Sequence, residues 1–273
     1  MEWSKLKNII ILILVLANLF LLVMVGSQQR SSVQYQEQAV SDALAVLDRS
    51  GIHLNRDIIP NEITLAPLVV TRDRESEAAL AAELLGNCAV SDLGGGRFLY
   101  ESDLGQAEFR SNGNFSFVFS VGAQTASASE GQQAHALVTM TRIGFSGIPT
   151  SYEELGQRIL ISLRQTYQEF PVFSCHVTLE YEGYDLRSIT GQRLMGTPAV
   201  DNDSGTAITV PTALLRILNG VTGLGDICSE ITDITPGYLL SSTDTVRMVP
   251  VWYVTTDTGA YTLNTLTGAL DRA

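Results

Sequence analysis

The sequence predicts an α+β protein: an N-terminal transmembrane helix followed by two halves, each a helix-plus-antiparallel-sheet unit. Three observations predict it. Residues 6–25 form an apolar run interrupted only by Lys7, Asn8 and Asn18. Phe115, Phe117, Phe119 and Val121 alternate with Ser116, Val118 and Ser120, the period-two pattern of a strand with one buried face. Around that strand, segments with helical spacing of apolar residues exchange with alternating ones, separated by Gly, Asn and Pro.

Twenty helical residues rise about 30 Å, the thickness of a bilayer's hydrocarbon core. The run at 6–25 is therefore read as a membrane span, with Trp3 at an interfacial position and residues 1–5 as a short stub. A cleaved signal peptide is the rival. Its apolar core is shorter than this one, and Val23 stands where a cleavage site asks for a small residue. Lys5 and Lys7, the only lysines in the chain, precede the span, so the stub is expected in the cytoplasm and the rest outside the cell membrane. Asn18 is the polar residue near mid-membrane. Its amide either bonds back to its own helix or meets a neighbouring helix, with Ala17 beside it permitting close approach. Ala17 and Asn18 are the candidate partner-contact residues.

Residues 26–34 read as a polar linker, and the first half is expected at 35–146. Val40, Ala43, Leu44 and Leu47 repeat at helical spacing, with Ser50-Gly51 as the stop. A strand is expected at 63–70, partly at an edge because of Pro67, and a short helix at 77–85 ending at Gly86. Strands follow at 98–101, 106–110 and 115–121, with Asn112-Gly113 as a tight turn. Residues 123–133 read as a loop and 136–143 as a strand.

A boundary is expected at Gly144 to Pro149, so that 147–273 is the second half. Ser151 and Glu154 fit a capping box, and Tyr152, Leu155, Ile159 and Leu163 make the stripe of a helix. Residues 173–181 alternate as a strand, and 196–205 form a turn-rich excursion. A helix is expected at 209–219, with Pro211 in its first turn and Gly220 at its stop. Strands are expected at 228–235 and 248–255, the second turning through Asp257-Thr258-Gly259 into 260–264.

The chain has 273 residues, 45% of them hydrophobic, with a formal net charge of −12. That composition fits a folded chain and argues against a nucleic-acid partner, because an acidic surface repels phosphates. Chemistry is harder to find. Gly144-Phe145-Ser146-Gly147-Ile148 lacks the second glycine of a nucleophile elbow, so Ser146 reads as a turn residue. Cys175 and His176 are adjacent, and on a strand adjacent side chains point to opposite faces, so they cannot jointly hold a metal. Cys88, Cys175 and Cys228 read as apolar core residues or one disulfide plus a free thiol. Asp201 to Gly205 fails the calcium-loop pattern at its fifth, sixth and twelfth positions. Gly94-Gly95-Gly96 reads as a turn, and Glu180 and Glu182 as a wet strand face. No catalytic residue, cofactor or metal ligand is nominated.

Two stretches carry a family resemblance. Met1 to Lys7 (MEWSKLK), running straight into the apolar span, resembles the start of YycI-type proteins, the membrane-anchored regulators of Gram-positive bacteria. Val249 to Val254, with Asp257-Thr258-Gly259 and Asn264 to Gly268, resembles that family's last hairpin and is also similar to the closing strands of PepSY-type modules. The YycI resemblance implies a non-catalytic accessory protein that modulates a sensor histidine kinase of a two-component system in cell-wall signalling. It also implies a YycH-like partner protein and contacts through the transmembrane helices. The PepSY resemblance implies a binding or inhibitory module acting on an envelope protease. An envelope hydrolase is the third possibility.

Overall fold

In the computed structural model, which describes residues 14–20, 35–63, 65–202, 205–242 and 246–273, the chain builds an α+β fold in two modules, one inserted into the other. The flanking module opens with helix α1 (35–49), whose buried face carries Val40, Ala43 and Leu47. Strand β1 (His53–Leu54), a 3-10 turn at Arg56–Ile58 and strand β2 (Leu68–Val70) follow. The chain then leaves this module and builds the other before returning.

The inserted module starts with helix α2 (Arg74–Leu85). Strands β3 (Ala89–Gly94), β4 (Arg97–Ser102), β5 (Gly105–Phe109) and β6 (Asn114–Phe119) run as an antiparallel meander. Next come helix α3 (Gly131–Arg142) and strands β7 (Gly147–Leu155), β8 (Arg158–Tyr167), β9 (Phe170–Glu182) and β10 (Asp185–Gln192). Phe115, Phe117 and Phe119 share one face, as alternation requires, and pack with Phe109, Leu179, Tyr181 and Ile189. Edge-on and stacked ring pairs link Tyr100, Phe109 and the three β6 phenylalanines.

The chain re-enters the flanking module through strand β11 (Pro198–Val200) and helix α4 (Val210–Gly223). Strands β12 (Glu230–Ser242), β13 (Val246–Thr256), β14 (Ala260–Asn264) and β15 (Leu270–Arg272) complete it. Its core joins α1 (Leu47), α4 (Leu214, Ile217) and the sheet (Trp252, Val254, Leu263). Strand β9 joins the modules. Its C-terminal part pairs with β10 and β8 runs along it as far as Phe170, while Val172 near its start also pairs parallel with Tyr238 of β12. A third core, with Val70, Val172, Cys175, Leu194, Tyr238 and Met248, fills the junction.

Three expectations are corrected. The two halves do not divide at 146/147, because β6 pairs with β10 (Phe117 with Ile189) and its phenylalanine face is covered by residues beyond that point. The helix expected from Tyr152 to Leu163 is the β7–β8 hairpin. Gly156, at φ +69°, makes the turn, and Ile159, Ile161 and Leu163 alternate toward the core against β9. The strand expected at 136–143 belongs to α3 and its C-terminal turn, which bury Ala136, Met140 and Ile143 on one side. In that segment, packing on a preformed sheet face overrides β propensity. Helix α4 also runs past Gly220 to Gly223. No helix among the described residues is long and apolar enough to cross a membrane. Most of the span expected at 6–25, with the stub and the linker at 26–34, lies outside the described residues.

Candidate functional site

Residues 14–20 are helical and exposed at every position, with Leu14, Val15, Leu16, Leu19 and Phe20 each more than half accessible. Ala17 and Asn18 lie within these roughly two turns. The Asn18 side-chain Nδ2 donates to the Leu14 carbonyl four residues back, at 2.9 Å. Its second N–H and its carbonyl oxygen have no partner among the described residues, so the amide retains one donor and an acceptor.

A second site lies where the chain crosses between modules. Residues 71–73 leave the flanking module and 193–197 return, side by side: Asp73 N donates to Met195 O at 2.7 Å, and Gly196 packs against the Thr71 carbonyl with no room for a Cβ. Asp73 caps α2, one carboxylate oxygen (Oδ1) accepting from Glu75 N and Ser76 N at 3.0 and 3.1 Å. One turn on, Glu77 is 1% exposed. It is held in a bidentate pair by Arg72, with Nε–Oε1 at 2.5 Å and Nη2–Oε2 at 2.8 Å. Arg72 also donates to Gly96 O at 2.6 Å and lies 5.2 Å from the Phe98 ring centre, which Arg74 faces at 3.7 Å.

Arg193 is 9% exposed and pairs only with backbone: Nη1 donates to Ile143 O at 3.1 Å, and Nε reaches Leu194 O at 3.4 Å. Burial pulls its pKa down to about 10, against the raising fields of Cys175 and Glu77. Gln165 Oε1 accepts from Leu194 N and fixes this return segment. Between the start of α2 and the return segment lies a cavity of about 140 Å³, lined by Asp73, Ser76, Glu77 and Leu80 on one side and residues 193–197 on the other. A larger groove, about 370 Å³, runs between α3 and the β8 strand over Met140, Phe145 and Leu163. A cleft of about 240 Å³ separates α1 from the start of α4.

The residues weighed from sequence are dispersed. His53 pairs with Asp48 at 3.0 Å on the surface, His135 Nδ1 meets Tyr181 Oη at 2.9 Å under α3, and His176 is exposed on β9 while Cys175 is buried on the opposite face. Cys88, Cys175 and Cys228 are all free thiols, so the disulfide alternative fails. Ser146 lies in the groove beside α3, where its carbonyl accepts from Thr166 N. Glu180 pairs with Arg158 at 3.1 Å and Glu182 with Arg187 at 3.6 Å. Asp201 accepts from Arg247 Nε at 3.1 Å. No group of three or more His, Cys, Asp or Glu that could hold a metal exists among the described residues.

Sequence reasoning missed Arg72, Glu77 and Arg193. Glu77 left a signal: it precedes Leu80, Ala81 and Leu84 by three, four and seven residues, so it falls on the apolar face of α2 and must have a cationic partner. Nothing local marks Arg193.

No protein-family model matches the chain, and no curated protein matches it significantly. Among solved structures it is similar to an uncharacterized protein from Eubacterium rectale, with 10% identity and a TM-score of 0.44, covering 76% of this chain and 85% of that one. It is also similar to the Bacillus megaterium YpeB C-terminal domain, with 9% identity and a TM-score of 0.39, covering 74% and 98%.

Proposed function

We propose that the chain is a membrane-tethered, non-catalytic accessory protein. Its outer module binds at the cell envelope, and its apolar helix packs on a sensor histidine kinase of a two-component system, with a YycH-like protein as a further partner. The observation that carries this reading is the helical segment 14–20. Seven consecutive exposed residues, six of them apolar, have no cover from the folded modules, and surface of that kind is stable only in lipid or against another helix. Asn18 suits such a setting: it satisfies one donor within its own helix and keeps polar capacity for a neighbour. The lysines before the run and the YycI-like opening support the same orientation. Modulation then needs only a different affinity for two kinase states.

Asn18→Leu tests the contact. Loss of an interhelical hydrogen bond of about 0.6–2 kcal/mol is expected, weakening in-membrane crosslinking to the kinase while the outer modules keep their fold. Unchanged crosslinking and unchanged reporter output would remove Asn18 from the mechanism. A PepSY-like inhibitory module is the second reading, favoured by the way α4 lies on the closing hairpin, with Leu214 and Ile217 packed among Trp252, Val254 and Leu263. Recovery of an envelope peptidase and no kinase in a pull-down would select it.

A further inference from the structure

Five strands have a single pairing partner among the described residues: β1, β3, β7, β11 and β15. An open edge templates pairing with another chain unless it is short, charged, kinked or interrupted by proline. Four of the five are guarded in this way. β1 has two residues and β11 and β15 three each, β11 opening on Pro198 and β15 carrying Asp271 and Arg272. β7 is longer, but Pro149 and a register shift between Pro149 and Ser151 interrupt it. β3 (AVSDLG) is six residues long, exposed throughout, free of proline and cations, and kinked only towards its far end, between Asp92 and Gly94. Val90 and Leu93 stand 55% and 46% exposed on it.

The hydrogen-bond ladder shows which groups β3 leaves open. Ser120 N donates to Leu104 O and Arg110 N to Asn114 O, so the even-numbered residues of β5 bond towards β6. In an antiparallel sheet, successive residues bond to opposite neighbours. Ala107 and Phe109 therefore bond to Tyr100 and Phe98 of β4, and Leu99 and Glu101 bond to Ser91 and Ala89 of β3. The main-chain N–H and C=O groups of Val90 and Asp92 are left facing outward. None of the cavities described above is lined by residues 89–94, so this edge has no pocket to read the side chains of a foreign peptide. It does match itself. A two-fold axis through Ser91 sets Val90 opposite Asp92 of the second copy and Asp92 opposite its Val90, and each pair exchanges both main-chain bonds. Centring on Asp92 would set carboxylate against carboxylate, and centring on Val90 would carry Asp92 past the start of the other β3. We propose that β3 pairs antiparallel with β3 of a second copy of this chain, in the register centred on Ser91, so that two molecules share one continuous sheet. This goes beyond the kinase reading and does not rest on it.

A strand pair of this length is smaller than a standard interface, so the dimer is expected to be reversible and concentration-dependent. Sedimentation equilibrium of the full chain in density-matched detergent micelles measures it, at about 0.15 M salt so that distant charges are screened. Val90→Glu meets Asp92 of the other copy twice by symmetry and should weaken the dimer about tenfold, whereas Val90→Lys should tighten it about as much. Misfolding cannot produce the second result. Ile227→Lys, at an 85% exposed position in the flanking module, adds the same charge elsewhere and should change nothing. In the proposed register Ser91 faces its own copy as a non-hydrogen-bonded pair with Cα atoms about 4.5 Å apart, within disulfide reach. In a Cys88→Ser background, Ser91→Cys should therefore cross-link under mild oxidation and Leu93→Cys should not. A chain that stays monomeric would assign the edge to a strand of some other protein and overturn the proposal. So would Val90→Lys and Val90→Glu shifting the dimer in the same direction, Ile227→Lys tightening it equally, or Leu93→Cys cross-linking as readily as Ser91→Cys.

Discussion

Removing either half of the Arg72–Glu77 pair should cost unequal amounts, because the two partners are sealed to different degrees. The side chain of Glu77 is 1% exposed and that of Arg72 19%. Arg72→Met leaves a carboxylate in the core with its bidentate partner gone, and breaking a buried pair in this way costs about 3–5 kcal/mol. Glu77→Leu leaves a cation that still donates to Gly96 O at 2.6 Å, rests on Phe98 and reaches water, so the lost charged hydrogen bonds should cost about 2 kcal/mol. The double variant removes both charges from a site already walled by Leu80 and Phe98, and should lie within about 1 kcal/mol of the parent. Urea unfolding followed by far-ultraviolet circular dichroism gives all three values. The reasoning fails if Glu77→Leu costs as much as Arg72→Met, or if the double variant costs the sum of the singles, since additivity would mean that the two charges do not support each other.

Burial and the nearby Arg142 hold the His135 imidazole below its ordinary value, so the folded state favours the neutral ring against Tyr181. The unfolded chain then binds the proton more readily, so stability present above about pH 6.5 is lost as pH falls; His135→Gln should flatten that slope between pH 8 and 5, and an unchanged slope would assign it elsewhere. At Gly237 an added Cβ would stand 2.5 Å from Pro171 O and 2.6 Å from Phe173 Cε2. Gly237→Val should therefore cost about 1–3 kcal/mol and speed amide exchange in β9 and β12 where the modules join. Phe173 stacks on Tyr253 at 4.6 Å, and loss of that stack should appear in ring chemical shifts; exchange rates identical to the parent's would count against the junction. Alkylation of the native chain at pH 8 should modify Cys88 first and Cys175 only after unfolding, because burial pushes the Cys175 thiol up to about 12 and leaves it 0% exposed. Equal rates would show that the junction core opens.

Glycine and asparagine punctuation made several elements readable in advance. The Asn112-Gly113 turn, the Phe115 to Phe119 alternation and the Pro211 start of α4 all lie where local spacing placed them. Short-range pattern failed where two periods fit the same residues. Tyr152, Leu155, Ile159 and Leu163 satisfy a helical stripe, yet Ile159, Ile161 and Leu163 also alternate, and the partner that selects the strand is β9, beyond a turn. At Ala136 and Met140 the opposite choice was made by an apolar sheet face needing cover.

Sequence by itself determined the α+β class, the acidic folded character and the apolar opening run, because each is a sum over local composition or spacing. Tertiary structure alone decided that one module is inserted in another, that residues 71–73 and 193–197 run together, and that Arg193 and Asp73 line one cavity. Those facts depend on contacts between residues more than a hundred positions apart, whose pairing is set by which buried faces find each other rather than by any pattern within reach of a local window.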